Sequence, residues 1–390
     1  MDSEVKTFHD LKIEVQEYGF CGKCGGCVSF CSAGNLCALG LDKDGMPIFA
    51  DEEKCLRCGI CYLICPNIRD LDDELRKKTN WVPPIGPIKD LISARTTNPL
   101  VSEKCTDGGV VTSLLIYLMD HHLIDAALVS KSDGPFHREP LLATTGEEIL
   151  SAAGSHFDES YSIANLGSRY STYSPAMYEL KKLREGFASR VAMVGTPCQI
   201  QTIRKMQVLK IIPSDIIHYC FGLFCMENFS FNDLQMEQLE KKHEFEMTQI
   251  AKINVKEDFL INLKDGRVIH IPFEEIDLIA RPACLVCPDF SAEYSDISFG
   301  GLGSPEGYTT VLIRSEAGKW IYRNALTAGY IKEKKYPSFQ KARSDWMTLH
   351  TTAVAFSQRK SARALRNRAI ATRIAASSLN ARPSSGPPRP

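Results

Sequence analysis

Two cysteine runs near the start of the chain share one spacing: Cys21, Cys24, Cys27 and Cys31, then Cys55, Cys58, Cys61 and Cys65, with Pro66 behind the last. Each reads C-x2-C-x2-C-x3-C. In that spacing three close thiolates wrap one [4Fe–4S] cubane while the fourth reaches across to a second. The assignment is therefore crossed, with Cys21, Cys24, Cys27 and Cys65 on one cluster and Cys55, Cys58, Cys61 and Cys31 on the other. Structural zinc fits poorly, because its four ligands usually come as two separated pairs. Disulfides suit a secreted chain, but this one opens MDSEVKTFHD with no apolar leader, and a reducing, cytoplasmic setting is expected. No stretch approaches the roughly 20 apolar residues of a membrane span.

These ligands must be held by a fold, and a chain of 390 residues predicts two or three domains. Residues 14–70 read as a bacterial-type two-cluster ferredoxin domain, which has little apolar core and depends on its metal. Residues 71–90, charged and then proline-rich, read as a linker. From 91 to 335 short β-branched apolar stretches (AALVSKS, VAMVGTP, KIIPSDIIHYC) alternate with helical spacing (VVTSLLIYLMDHH, PAMYELKKLREGF), which predicts an α/β body. Residues 336–390 read as a helical, basic extension whose last dozen residues are expected to be disordered. A formal net charge of −1 offers no basis for binding nucleic acid or an anionic membrane surface.

The body holds a second, dispersed cysteine set: Cys198 in VGTPCQ, Cys225 in FGLFCMENF, and Cys284 and Cys287 in RPACLVCPDF. Spacing alone admits two readings, a metal site assembled by the fold or a group of buried apolar thiols. Thr106, Asp107, Gly108 and Gly109 precede the apolar-periodic VVTSLLIYLMD. Two glycines at a helix start suit a phosphate or a flavin edge; the alternative is a cap supplied by Thr106 or Asp107. The run Phe299 to Ser304 has G-x-G at Gly301 and Gly303, but Pro305 follows and no dinucleotide fingerprint is completed.

In order behind the ferredoxin segment stand TDGGVVTSLL, GSRYSTYSP, VGTPCQ, GLFCMENF and CLVCPDFSAEYSDISFGGLGSPEGYTTVLIR. Over about residues 18 to 330 the chain resembles the coenzyme F420 hydrogenase/dehydrogenase beta-subunit family, in the form with a two-cluster ferredoxin domain in front. The resemblance implies FAD on the body, with Thr106 to Gly109, Ser168, Arg169, Tyr170, Gly195 and Thr196 as its contacts. Members often carry lysine where Arg169 stands, and the charge is kept. It also implies a third [4Fe–4S] on Cys198, Cys225, Cys284 and Cys287, with coenzyme F420 as the hydride-carrying substrate.

The implied function is hydride exchange between F420 and FAD, with single electrons passing through the clusters to or from a hydrogenase, formate dehydrogenase, heterodisulfide reductase or F420H2 dehydrogenase partner. No general base is needed, since hydride transfer between stacked rings depends on distance and orientation. The alternatives are a ferredoxin-dependent flavin reductase of an organic substrate and a relay protein without a substrate site. The acidic tail of F420 calls for cations, and Arg169, Lys181, Lys182, Arg204 and Lys205 are candidates. Cys37, Cys105 and Cys220 are left without a full ligand set, and the last two read as packed thiols.

Overall fold

The computed structural model describes residues 5–43, 45–132, 138–154, 169–171, 189–255, 258–276 and 280–380. The helix predicted over residues 175–187 lies outside them, as do Ser168, Lys181, Lys182 and the last ten residues.

The two cysteine runs flank a hairpin of β1 (Leu39–Leu41) and β2 (Pro47–Phe49). The first run enters α1 (Gly26–Ala33) through Gly25, and the second enters a single helical turn, Ile60–Leu63, through Gly59. Both glycines have φ above +70°, a conformation that any side chain would strain. The same device thus turns each run inward. Around them Phe8, Val28, Leu39, Tyr62 and Ile68 form a small core shared with the cysteines.

The segment read as a linker carries α2 (Asp72–Thr79), with acids in its first turn and bases in its last, as the helix dipole favours. Leu75 is fully buried. The proline stretch is pinned to the body: the buried Arg314 donates to Ile85 O at 2.6 Å and Pro87 O at 3.2 Å, and Trp81 Nε1 donates to Glu293 Oε2 at 2.6 Å.

The body is built on one mixed sheet of eight strands. They are β3 (Asp90–Thr96), β4 (Ala126–Ser132), β5 (Arg138–Ala143), β7 (Val191–Gly195), β8 (Ile217–Leu223), β13 (Ile297–Gly300), β14 (Thr309–Ile313) and β15 (Ile331–Glu333), in the order 15-3-14-13-8-7-4-5. Strands β4, β7, β8 and β13 run parallel, whereas β14 is antiparallel to β13 and to β3. Strand β3 therefore points the same way as the parallel group. Alternation along β4 sends Ala127 and Val129 to one face and Ala126 and Leu128 to the other, each into its own core. One face is covered by α3 (Val110–Asp120), the other by α4 (Pro197–Val208). Each fully buried Leu or Ile there contributes about 1.5–3 kcal/mol.

Two smaller sheets stand apart, β6 (Arg169–Ser171) with β9 (Ser230–Asn232), and β10 (Ile250–Val255), β11 (Phe259–Leu263) and β12 (Val268–Ile271). After α5 (Glu316–Thr327) and β15 the described residues end in one 42-residue helix, α6 (Phe339–Asn380), about 60 Å long.

Entry to β7 is fixed by Asp125, whose carboxylate accepts from Ser189 N and Oγ at 3.1 and 3.0 Å, Arg190 N at 3.0 Å and Arg190 Nη2 at 2.6 Å. The Arg190 guanidinium, above all, holds this carboxyl well below the usual range against the opposing effect of burial. A depressed carboxyl stabilises the fold above the unfolded pKa, about 3.9, and loses that contribution as pH falls below it. Asp125→Asn should lower the unfolding free energy by about 1–2 kcal/mol at pH 7. The difference should be constant from pH 8 to pH 5 in denaturant titrations; equal stability of the two proteins at pH 7 contradicts the role.

Candidate metal centres and cofactor edge

The described structure sets the N-terminal cysteines around two cavities. The first is lined by Cys21, Cys24, Cys27, Cys61 and Cys65, the second by Cys31, Cys55, Cys58 and Cys61. Cys65 thus joins the first run and Cys31 the second. The remaining lining is mainly apolar, with Leu11, Val15 and Ile64 in the first cavity. Burial pushes the Cys21 thiol to about 11 and those of Cys61 and Cys65 to about 12. Binding a metal at such thiols would release their protons. Among the described residues no group of three or more His, Cys, Asp or Glu is set to hold a single metal ion.

The body quartet also converges. Burial raises the Cys198 thiol first, and Cys287, Cys24 and Cys225 raise it further by their charge. The Cys225 thiol is pushed to about 12 by burial, with Cys284 and Cys287 adding to the rise. Asn228 ties two of the four together: its N–H donates to Cys284 Sγ at 3.3 Å and its side-chain amide to Cys225 Sγ at 3.6 Å. Cys198 occupies the first turn of α4, behind Thr196 at the N-cap and Pro197, with Gln199 completing a capping box. That end of a helix favours a thiolate, and Thr196 Oγ1 lies 3.3 Å from Cys198 Sγ.

Helix α4 joins the two regions. One turn after Cys198, Thr202 Oγ1 lies 3.7 Å from Cys24 Sγ, and a Cβ on Gly26 would stand 2.4 Å from Thr202 Cγ2. Glycine at 26 is what lets α1 reach α4. Further along, the fully buried Lys205 donates to Cys65 O at 3.0 Å. The buried Arg281 acts electrostatically on Cys21, Cys24 and Cys284.

The glycine segments gather at the carboxyl ends of the parallel strands, the edge where open α/β sheets bind ligands. Thr106 to Gly109 follow β3, Gly195 ends β7 with Thr196 behind it, and the 301–303 loop follows β13. They pack closely: a Cβ on Gly301 would meet the Asp107 carboxylate at 2.5 Å, and one on Gly108 would meet Thr309 N at 2.5 Å. Neither Thr106 nor Asp107 caps α3, contrary to the simpler expectation. The N-cap is Gly109 at φ 70° with no side-chain bond, because Gly108 turns away to donate to Thr309 Oγ1 at 3.0 Å. The N-cap position itself thus supplies no side-chain bond to the first turn of α3. Arg169 and Tyr170 lie in β6, paired with β9.

Two basic candidates are corrected. Arg204 is ion-paired to Asp296 at 2.9 Å and donates to Tyr294 O at 2.9 Å. Lys205 is buried beside Cys65 and 3.4 Å from Asp72. Both lie on inward faces of α4 and are committed within the fold, so neither is open to an outside anion. Of the leftover thiols, Cys220 is fully buried, Cys105 Sγ donates to Asp107 O at 2.9 Å and Cys37 is exposed. Sequence reasoning missed Asn228, Arg281 and Lys360. Lys360 is buried on α6 and donates to Cys225 O and, at 2.8 Å, to Asp289 O. Burial opposes its charge, but Cys287, Cys225, Cys284 and Asp289 outweigh that and raise it. A lysine among the many cations of this helix reads as solvated, so its residue type gave no signal.

Thiol groups arrayed along one helix, beside the glycine-lined edge of a mixed sheet, define a cysteine-rich redox protein of the α/β class. The chain belongs to the coenzyme F420 hydrogenase/dehydrogenase beta-subunit family, whose N-terminal part matches residues 91–181 and whose C-terminal part matches residues 188–338. It is 33% identical over 258 residues to the beta chain of coenzyme F420 hydrogenase from Methanosarcina barkeri, covering 65% of this chain and 84% of that one. It is 25% identical to a component chain of the F420H2 dehydrogenase of Methanosarcina mazei, covering 84% and 88%. A solved chain from the F420-reducing [NiFe] hydrogenase complex of Methanosarcina barkeri superposes with a TM-score of 0.57 at 27% identity, covering 70% of this chain and 92% of that one.

The α1–α4 contact generates a direct test. Gly26→Ala should force the helices apart and lower the melting temperature by several degrees. Adding Thr202→Ser removes the opposing methyl and should restore most of that loss. A single variant with wild-type stability contradicts this contact.

Proposed function

We propose that this chain is an FAD-containing iron–sulfur protein that exchanges a hydride with coenzyme F420 and passes single electrons to or from a partner redox complex. The observation that carries the reading is the placement of Cys198. It stands two residues from Thr196 at the sheet's ligand-binding edge and one helical turn from Thr202 against Cys24. When bound, FAD would supply the exchange between two-electron and one-electron chemistry, and three [4Fe–4S] clusters the single-electron path.

The chain's residues hold and orient these groups. Thr106 to Gly109 and the glycine start of α3 would take a cofactor phosphate, with Ser168, Arg169, Tyr170, Gly195 and Thr196 completing its site. Cys198, Cys225, Cys284 and Cys287 would hold the body cluster. Cys21, Cys24, Cys27 and Cys65 would hold the next, and Cys55, Cys58, Cys61 and Cys31 the outermost. Cys58 is exposed, as is Leu56 at 70%, so the second cavity lies where a partner protein can approach. Relatives in this family are named as components of an F420 hydrogenase and an F420H2 dehydrogenase, which supports a place in a larger complex. Among the described residues no helix is long and apolar enough to cross a membrane.

Anaerobic purification followed by iron and flavin analysis tests the reading. About twelve irons per chain are expected from three cubanes, together with FAD that bleaches when reduced F420 is added. Cys198→Ala should leave about eight irons, keep the bleaching and abolish electron transfer from flavin to the N-terminal clusters. Flavin that stays oxidised in F420H2 would sink the proposal.

A further inference from the structure

Helix α6 begins at Phe339, one residue beyond the family match that ends at 338. Its side chains nevertheless reach the loops that carry the body cysteines. Lys360 donates to Cys225 O and Asp289 O, Arg363 to Met226 O at 3.5 Å, Asn367 to Leu285 O at 3.0 Å and Arg368 Nε to Val286 O at 3.0 Å. Arg368 also donates to Asn67 Oδ1 at 2.6 Å, in the N-terminal cysteine region. One helix thus straps both cysteine loops of the body quartet and ties them to the region around Cys65.

Lys360 differs from the other cations on this face. Leu349, Ala353, Ser357 and Ala364 are buried at its helical spacing, so it occupies a position where packing calls for a small or apolar residue. Arg363 is balanced by an ion pair to Glu227 at 2.8 Å. Among the described residues Lys360 Nζ has no carboxylate within ion-pair distance; its two hydrogen-bond acceptors are neutral carbonyls. A buried ammonium in such a place is costly unless negative charge lies near. The groups facing it are the thiols of Cys225, Cys284 and Cys287 and the carboxyl of Asp289, with Glu227 held by Arg363.

We propose that α6 is a potential-setting strap in which Lys360 is a positioning residue: its buried cation raises the reduction potential of the cluster held by Cys198, Cys225, Cys284 and Cys287. This rests on the cluster reading given above. A cluster gains one negative charge on reduction, and a nearby cation screened by little water favours that form over the oxidised one. The same side chain fixes the Cys225 and Asp289 carbonyls, which orients the ligand loops.

The test is a dye-mediated redox titration of the full-length, cluster-loaded chain followed by electron paramagnetic resonance. It reads the signal that Cys198→Ala removes and needs neither F420 nor turnover. Lys360→Met and Lys360→Gln should each shift the oxidised-to-reduced ratio of that cluster at least tenfold toward oxidised, equivalent to about 59 mV for one electron. The two N-terminal clusters should move less than twofold, and Lys360→Arg should stay within twofold of wild type. Asn367→Lys, which adds a cation beside Leu285 O without touching Lys360, should shift the same cluster toward reduced. Unchanged potential in both neutral variants overturns the proposal. Should neither neutral variant retain the cluster, an unmoved potential in Asn367→Lys overturns it instead. Absence of the third signal from the wild-type chain would overturn the cluster reading, and is seen before any variant is measured.

Discussion

The contact of α4 with α1 is the constraint on which the arrangement depends. A thiol at the first turn of α4 belongs to the body, while the methyl of Thr202 one turn on is pressed against Gly26 in the N-terminal region. Because a helix is rigid over one turn, the separation between the two thiol groups is set by helical pitch rather than by a flexible loop. The pinned proline stretch and the ion pair of Lys205 with Asp72 serve the same end, since each removes a hinge between the two regions. Electron transfer depends steeply on distance, so a fixed separation is worth more here than an adaptable one.

Bringing so many thiols inside the protein also shapes the electrostatics around them. Lys205, Arg281 and Lys360 are each almost fully buried and each lies against a cysteine loop. Isolated, such cations would be destabilising. Set beside thiols that can carry negative charge, they become part of the cysteine region. Asn228 acts in a complementary way, since it donates to two sulfurs at once and so restrains their mutual spacing.

Much of this was legible in the sequence because it depends on local spacing. The two runs, the strands at AALVSKS and VAMVGTP and the helix over VVTSLLIYLMD all rest on periodicity within a dozen residues. What spacing does not carry is which partner a long side chain finds across the fold. Arg204 and Lys205 look like the solvated face of a helix, and only the packing of α4 between the sheet and the cysteine region shows that both point inward. Gly109 as the cap of α3 was equally hidden, because the choice among Thr106, Asp107 and Gly109 is made by Thr309, some two hundred residues later. The reach of α6 back over residues 225 and 284–289 had no local signature at all.

That last feature bears on how the protein is made. Every cysteine precedes α6 in the chain, so during synthesis the loops carrying Cys225, Cys284 and Cys287 emerge before the helix that covers them. Until α6 has docked, those loops lack the cover that Asn367 and Arg368 give them. Docking of α6 closes that side, and it comes last in the order of synthesis. Exposing those loops again would mean lifting about twelve turns of helix.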